Sequence, residues 1–296
     1  MHPVNIAVIG GSGLYNLDAL EIIEEVQPET PWGLPSSKII IGKIPSGLRI
    51  AFLARHGTHH QFSPSEVPSK ANIAALKSLG VKLIIAFSAV GSLQEELEPT
   101  HFVLPDQIID RTKGIRPSTF FEGEGIIGHA AFADPFCPPA AKIIAKYGEA
   151  VEELTIHKDK LLVCMEGPAF STRAESNLYR SWGGGVINMS ALPEAKLARE
   201  AEISYQMICM STDYDCWRES EEAVTADAVM KTMVTNAANA KKLLLAILEP
   251  LEEAIHNGTI TEGVAGGMKY GIMTPLELCQ SDKLHYILPE YFAKKH

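Results

Sequence analysis

Several apolar, strand-like runs in this sequence stop abruptly at residues that could do chemistry. Residues 4–9 give way to Gly10-Gly11-Ser12-Gly13, residues 48–54 to Arg55-His56-Gly57, and residues 81–87 to Ser88-Ala89-Val90-Gly91. Residues 186–187 lead into Asn188-Met189-Ser190, and residues 203–210 into Ser211-Thr212-Asp213-Tyr214-Asp215. Ligands of open α/β sheets bind beyond the carboxyl ends of the strands, so repeated endings of this kind point to one crevice. The glycine loop can turn backbone N–H groups and the Ser12 hydroxyl toward an anion. It lacks the Gly-Lys-Ser/Thr of a P-loop and the last glycine of a dinucleotide fingerprint, and a tight strand-to-helix turn would need the same glycines. Arg55 can grip an oxyanion with two parallel hydrogen bonds, and His56 can donate another. A surface salt bridge is the plainer use of Arg55. Ser88 and Ser190 would complete a cradle suited to phosphate.

Asp213 and Asp215 are spaced by two, which on an extended segment puts both carboxylates on one side. One could accept from an exocyclic amine, while the other, its pKa raised by burial, could give a proton to a ring nitrogen. A solvated loop or a helix cap fits the same residues. Phe170 could stack on a heteroaromatic ring. Ser171 or Thr172 with Glu175 has the spacing of a helix cap. No Gly-x-Ser-x-Gly elbow supports a serine triad. His56, His59 and His60 have no carboxylate or cysteine at ligand spacing, so no metal is expected.

These residues need elements to carry them. The chain has 296 residues, 46% of them apolar, with a net charge of −10. That balance argues against nucleic acid as a partner. No apolar run approaches the ~20 residues of a membrane span. The beginning shows no basic-then-apolar leader, and five scattered cysteines suit a reducing compartment, so a cytoplasmic protein is expected. Short runs rich in β-branched residues, those above with 38–44, 102–104 and 161–165, alternate with amphipathic segments. This is the pattern of an α/β fold with a buried, largely parallel sheet. Helices are predicted over 69–79 and 193–201, and from Thr225 with Asp227 in its first turn, until Pro250 kinks or ends the last. Residues 112–139 and 258–275 lack regular pattern, the former long enough to be a lid or an interface element. No linker divides residues 1–296, so one domain is expected.

The motifs Gly-Gly-Ser-Gly-Leu, Leu-Ala-Arg-His-Gly, Glu-Gly-Pro-x-Phe-Ser-Thr-Arg-Ala-Glu-Ser, Val-Ile-Asn-Met-Ser-x-x-Pro-Glu and Ser-Thr-Asp-Tyr-Asp-Cys-Trp follow one another in this sequence. In that order they resemble the trimeric purine nucleoside phosphorylase family, in its 5′-methylthioadenosine phosphorylase branch, from about Asn5 to Leu248. The resemblance implies one α/β domain with a mixed central sheet flanked by helices, and a homotrimer with an active site at each subunit interface. Phosphate would displace adenine from methylthioadenosine, in methionine and purine salvage, with inorganic phosphate as co-substrate and no metal or organic cofactor. The nucleus is a second compartment if the source is eukaryotic. The phosphate site would be Ser12, Arg55, His56, Ser88, the Ala89 backbone and Ser190. Met189 would lie along the ribose. Asp213 and Asp215 would read the purine and assist its departure, with Phe170 and Ser171 beside it. Val229, Met230 and Ile287 would hold the methylthio group, with His129 reaching in from a neighbouring subunit. Ser12 and Ser190 stand where many members have threonine, and Phe87 where animal relatives have threonine. Residues 258–283 read as an insertion ahead of a C-terminal tail.

Overall fold

The computed structural model describes residues 4–11, 20–112, 114–218 and 226–294. Its strands are β1 (Ile6–Gly10), β2 (Glu21–Val26), β3 (Ile39–Lys43), β4 (Arg49–Ala54), β5 (Leu83–Ser92), β6 (Phe102–Arg111), β7 (Ile156–Met165), β8 (Gly184–Asn188) and β9 (Ser204–Asp213). The helices are α1 (Ser69–Ser78), α2 (Pro138–Gly148), α3 (Arg173–Ser181), α4 (Glu194–Glu200), α5 (Ala226–His256) and α6 (Asp282–Ile287). The strands form one sheet in the order β2-β3-β4-β1-β5-β8-β7-β6-β9, with β5 also pairing β9. That extra pairing curls β5, β8, β7, β6 and β9 into a closed, barrel-like group. Pairings through β1 and β7 are parallel, whereas β3 is antiparallel to both neighbours and β8 to β5. The sheet is therefore mixed, as the family resemblance implies, and less parallel than the apolar runs alone suggest.

Alternation along the strands divides the core. Ala7, Ile9, Ala51, Leu53, Ile84 and Ala86 pack into one layer, while Ile6, Val8, Ile50, Phe52, Leu83 and Ile85 pack into the other. α1, α4 and α6 supply the first layer, and α2 and α5 the second. No helix among the described residues is long and apolar enough to cross a membrane.

One strand goes unread in the sequence and two expectations need correction. β2 reads Glu-Ile-Ile-Glu-Glu-Val and is largely exposed, so an edge strand carrying three carboxylates left no apolar run to find. Pro250 does not end its helix: α5 continues to His256, because Leu251, Ala254 and Ile255 beyond it are buried in the core. Among the described residues of 112–139 there is no regular element before α2, but these residues are not a free lid. Phe120, Phe121, Ile126 and Phe136 bury themselves in the first layer.

Glu200, at the end of α4, fastens that segment by accepting the Phe120 N–H at 2.7 Å. Burial pushes its carboxyl up to about 7, against smaller downward pulls from the Phe120 N–H and the Thr119 hydroxyl. The folded chain thus holds a proton that the unfolded chain has released above pH ~4.3, so folding stability falls as pH rises from there through about 7. Glu200→Gln removes this contribution and is expected to be more stable than the parent at pH 8. Thermal melts of both proteins at pH 5 and pH 8 test it; an unchanged difference between the two pH values would refute the assignment.

Candidate active site

The strand endings singled out in the sequence line one cavity of about 640 Å³. Gly10, Gly11, Arg55, His56, Ser88, Ala89, Ser190, Met189, Phe170, Ser171, Asp213 and Asp215 all border it. Ser12 and Gly13 lie outside the described residues. On one side, the hydroxyls of Ser88 and Ser190 meet at 2.9 Å, and Asn188 Nδ2 donates to Ser88 at 3.1 Å. Asn188 orders this pair, a role its sequence position alone did not disclose.

Arg55 departs from expectation in how it is used. It is only 4% exposed, and its Nε and Nη2 donate to the two carboxylate oxygens of Glu194, each at 2.9 Å. Its Nη1 donates to the Phe87 carbonyl at 2.8 Å. Burial opposes the charge, but Glu194 outweighs it and raises the guanidinium pKa further. The parallel fork is thus spent on a carboxylate, leaving single N–H groups to offer the cavity. Phe87, for which the sequence suggested no purpose, contributes through its backbone.

His56 is a second correction. Its Nδ1 lies 2.9 Å from the Phe62 carbonyl, which can only accept, so Nδ1 carries the proton. Burial, then the Arg55 charge, holds the ring down to about 4. At neutral pH it is uncharged and presents an acceptor at Nε2, not a donor. A phosphate here would meet it through a phosphate O–H. Among the described residues, no group of three or more His, Cys, Asp or Glu could hold a metal ion.

The opposite side carries the carboxylates. β9 runs in register with β5 until Val90↔Ser211, then slips so that Gly91 faces Asp213. Thr212 is the extra residue of this bulge, and bulges re-aim the side chains around them. Gly91 allows the approach, since a Cβ there would stand 3.3 Å from Asp213 Oδ1. Asp215 opens a 3₁₀ turn at φ +52°, so the two acids share a side through a turn and not through strand alternation. Asp213 accepts from the Asp215 N–H at 2.8 Å and from the Thr212 hydroxyl at 2.7 Å. Asp215 accepts from Ser176, a buried residue of α3, at 2.6 Å. Burial pushes both carboxyls up; donors pull each back in part, and the Asp215 charge adds to the rise at Asp213. Thr172 and Glu175 form the capping box that starts α3 and so places Ser176.

A sequence model described as the phosphorylase superfamily matches residues 5–249. The chain is 56% identical to the S-methyl-5′-thioadenosine phosphorylase of Yarrowia lipolytica over 92% of its length and 87% of the relative. It is 53% identical to S-methyl-5′-thioadenosine phosphorylase 1 of Puccinia graminis f. sp. tritici, over 99% of both chains. The chain belongs to the phosphorylase superfamily, among its S-methyl-5′-thioadenosine phosphorylases. Solved phosphorylase structures agree. A methylthioadenosine phosphorylase from an antarctic soil metagenomic library superposes with a TM-score of 0.85 at 42% identity, over 98% and 99% of the two chains. The Schistosoma mansoni methylthioadenosine phosphorylase in complex with adenine gives 0.84 at 32% identity, over 91% and 99%.

Within this phosphorylase, some residues implied by the resemblance lie elsewhere. Ile287 is buried in the core on α6, whose Ser281 cap and Leu284 fix it there, away from the cavity. Met230 is exposed and does not line the cavity, whereas Met233, one turn on, does. The Val229 side chain lies outside the described residues. His129 is exposed and pairs through its N–H with the Gly271 carbonyl at 2.8 Å, away from this chain's own cavity. No motif in the sequence marks Arg116. Buried, it donates to the carbonyls of Met189 (2.5 Å), Leu192 (2.6 Å) and Glu166 (2.5 Å), tying the ends of β7 and β8 into one wall. Gly167 lies beside that wall at φ +69°, where a Cβ would collide with Met189 Sδ.

Proposed function

We propose that the cavity carries out phosphorolysis of 5′-methylthioadenosine, yielding adenine and 5-methylthioribose-1-phosphate. The observation that carries this reading is one cavity with hydroxyls and a buried arginine on one side and two carboxyls of raised pKa on the other. Phosphate held by Arg55, His56, Ser88, the Ala89 backbone and Ser190, with Ser12 as a further donor, stands ready to attack C1′. Positioning removes the entropic part of the barrier. Because Glu194 already balances Arg55, the phosphate keeps its charge to stabilise the ribosyl cation that develops as the glycosidic bond loosens. Asp213 gives its proton to purine N7 as the base leaves, and Asp215 accepts from the 6-amino group.

Two carboxyl groups suit a donating 6-amino group; a 6-oxopurine would set its oxygen against a carboxylate. Met189 lies along the ribose, with Phe170 and Ser171 beside the base. The same reading makes the protein a one-domain cytoplasmic homotrimer serving methionine and purine salvage, with Val229 and the neighbouring subunit's residues at the 5′ group. It uses inorganic phosphate as co-substrate and no cofactor.

The test is adenine release from methylthioadenosine by purified protein with and without phosphate, with chromatography of the sugar product. Release that requires phosphate and yields the sugar-1-phosphate is expected. Equal release without phosphate makes the protein a hydrolase and strips the cradle of its role. Release from inosine alone moves it to the 6-oxopurine branch.

A further inference from the structure

Thr212 is the extra residue of the bulge that turns β9 into the cavity, and its side chain has an unusual pair of neighbours. Its hydroxyl oxygen lies 3.2 Å from the Val90 carbonyl and 2.7 Å from Asp213 Oδ2. A hydroxyl has one proton to give. The Val90 carbonyl can only accept, and an ionised Asp213 can only accept, so the hydroxyl serves one of them fully at a time. When Asp213 is protonated, the hydroxyl donates to Val90 and its lone pair receives the Asp213 proton. When Asp213 is ionised, the hydroxyl turns and donates to the carboxylate.

The other oxygen is already committed. Asp213 Oδ1 accepts the Asp215 N–H at 2.8 Å, a donor that keeps an acid proton off that oxygen. The proton of a neutral Asp213 therefore sits on Oδ2, against Thr212. We propose that Thr212 is a positioning residue that holds the acid proton on Asp213 Oδ2 and, by turning its hydroxyl, stabilises the carboxylate left when that proton has gone. This rests on the general-acid reading of Asp213. The proton passes from Oδ2 to purine N7, the C1′–N9 electron pair goes to the base, and a phosphate oxygen bonds to C1′. The hydroxyl swing costs no covalent bond and reverses when Asp213 is reprotonated from solvent. Among the described residues, the charge that reaches Asp213 is that of Asp215, two residues on, and β5 places the uncharged Val90 and Gly91 beside it.

Thr212→Val keeps the shape and removes the hydroxyl, and Thr212→Ser keeps the hydroxyl. Valine removes a neutral hydrogen bond from the protonated form and a stronger, charge-assisted one from the ionised form, and the difference is expected to lower the variant's kcat ~10-fold. Its alkaline limb should move up by about one pH unit. The KM for phosphate should stay within about twofold, because the cradle is untouched. Thr212→Ser is expected to restore both kcat and the limb. A valine variant whose limb does not move, or a serine variant that behaves like valine, overturns the proposal. A second reading needs no Thr212 variant: below its alkaline limb, wild-type protein should show the infrared carbonyl stretch of a protonated carboxylic acid that Asp213→Asn lacks, and its absence there overturns the proposal too. Full turnover by Asp213→Asn would instead overturn the general-acid reading on which it stands.

Discussion

Asp213→Asn is expected to lower the turnover of methylthioadenosine by ~10²–10⁴-fold, the usual worth of a positioned general acid. The substitution is nearly silent structurally. The asparagine oxygen can still accept the Asp215 N–H, and its NH₂ group can donate to the Thr212 oxygen where Asp213 Oδ2 now lies. The amide can even donate a hydrogen bond to purine N7. What it cannot do is surrender a proton, so KM should move far less than kcat. The pH profile gives an independent reading. Burial raises the Asp213 carboxyl above the ordinary carboxylate range, so the active, protonated form is lost as pH rises through that raised value. Wild-type activity therefore falls on the alkaline side, and the asparagine variant should show no such limb. Steady-state kinetics between pH 5 and 9 would decide the matter; full turnover by the variant with a purine substrate would sink the general-acid role.

The sequence made the crevice readable because each strand is a short apolar run with an abrupt polar end, and a sheet has to bring such ends together. Gly10, Arg55, Ser88, Asn188 and Asp213 all follow this rule and all border the cavity. The residues that set the state of those groups had no such local mark. Glu194 lies 139 positions from Arg55, Ser176 lies 39 from Asp215, and Arg116 is 73 from Met189. A buried polar contact of that span is fixed by packing of elements, and composition near either partner does not reveal it. The same holds for the proton on His56, which is decided by the Phe62 carbonyl and not by the Arg-His pair. The bulge at Thr212 escaped because alternation reads the same through a slip of one residue until the partner strand is known. Ile287 has no such strand-end mark: the resemblance alone places it, in a tail following an insertion, and the apolar face of α6 buries it in the first layer.

Glu194→Ala should be the most destabilising single change in the site, costing about 3–5 kcal/mol, because it strands a buried cation. Arg55 and Glu194 have side-chain exposures of 5% and 3%, so solvent can replace neither partner. The Tyr205 hydroxyl also donates to Glu194 at 2.8 Å and would lose its acceptor. Urea unfolding of the alanine variant should show a lower midpoint with an unchanged slope, and an effect below about 1 kcal/mol would mean that Arg55 finds water or another carboxylate. Replacing both partners with methionine separates stability from function. A well-packed apolar pair commonly matches or exceeds a buried ion pair in stability, so the double variant should recover most of what alanine loses. It should nevertheless bind phosphate poorly, because the remaining N–H groups of Arg55 are gone from the cradle. If the double variant were stable and still bound phosphate normally, Arg55 would be a structural residue and the anion site would rest on the hydroxyls alone. Recovery of stability with loss of phosphate binding would show why a costly pair is kept here: Glu194 holds the guanidinium still and balances its charge, so the anion that enters keeps its own.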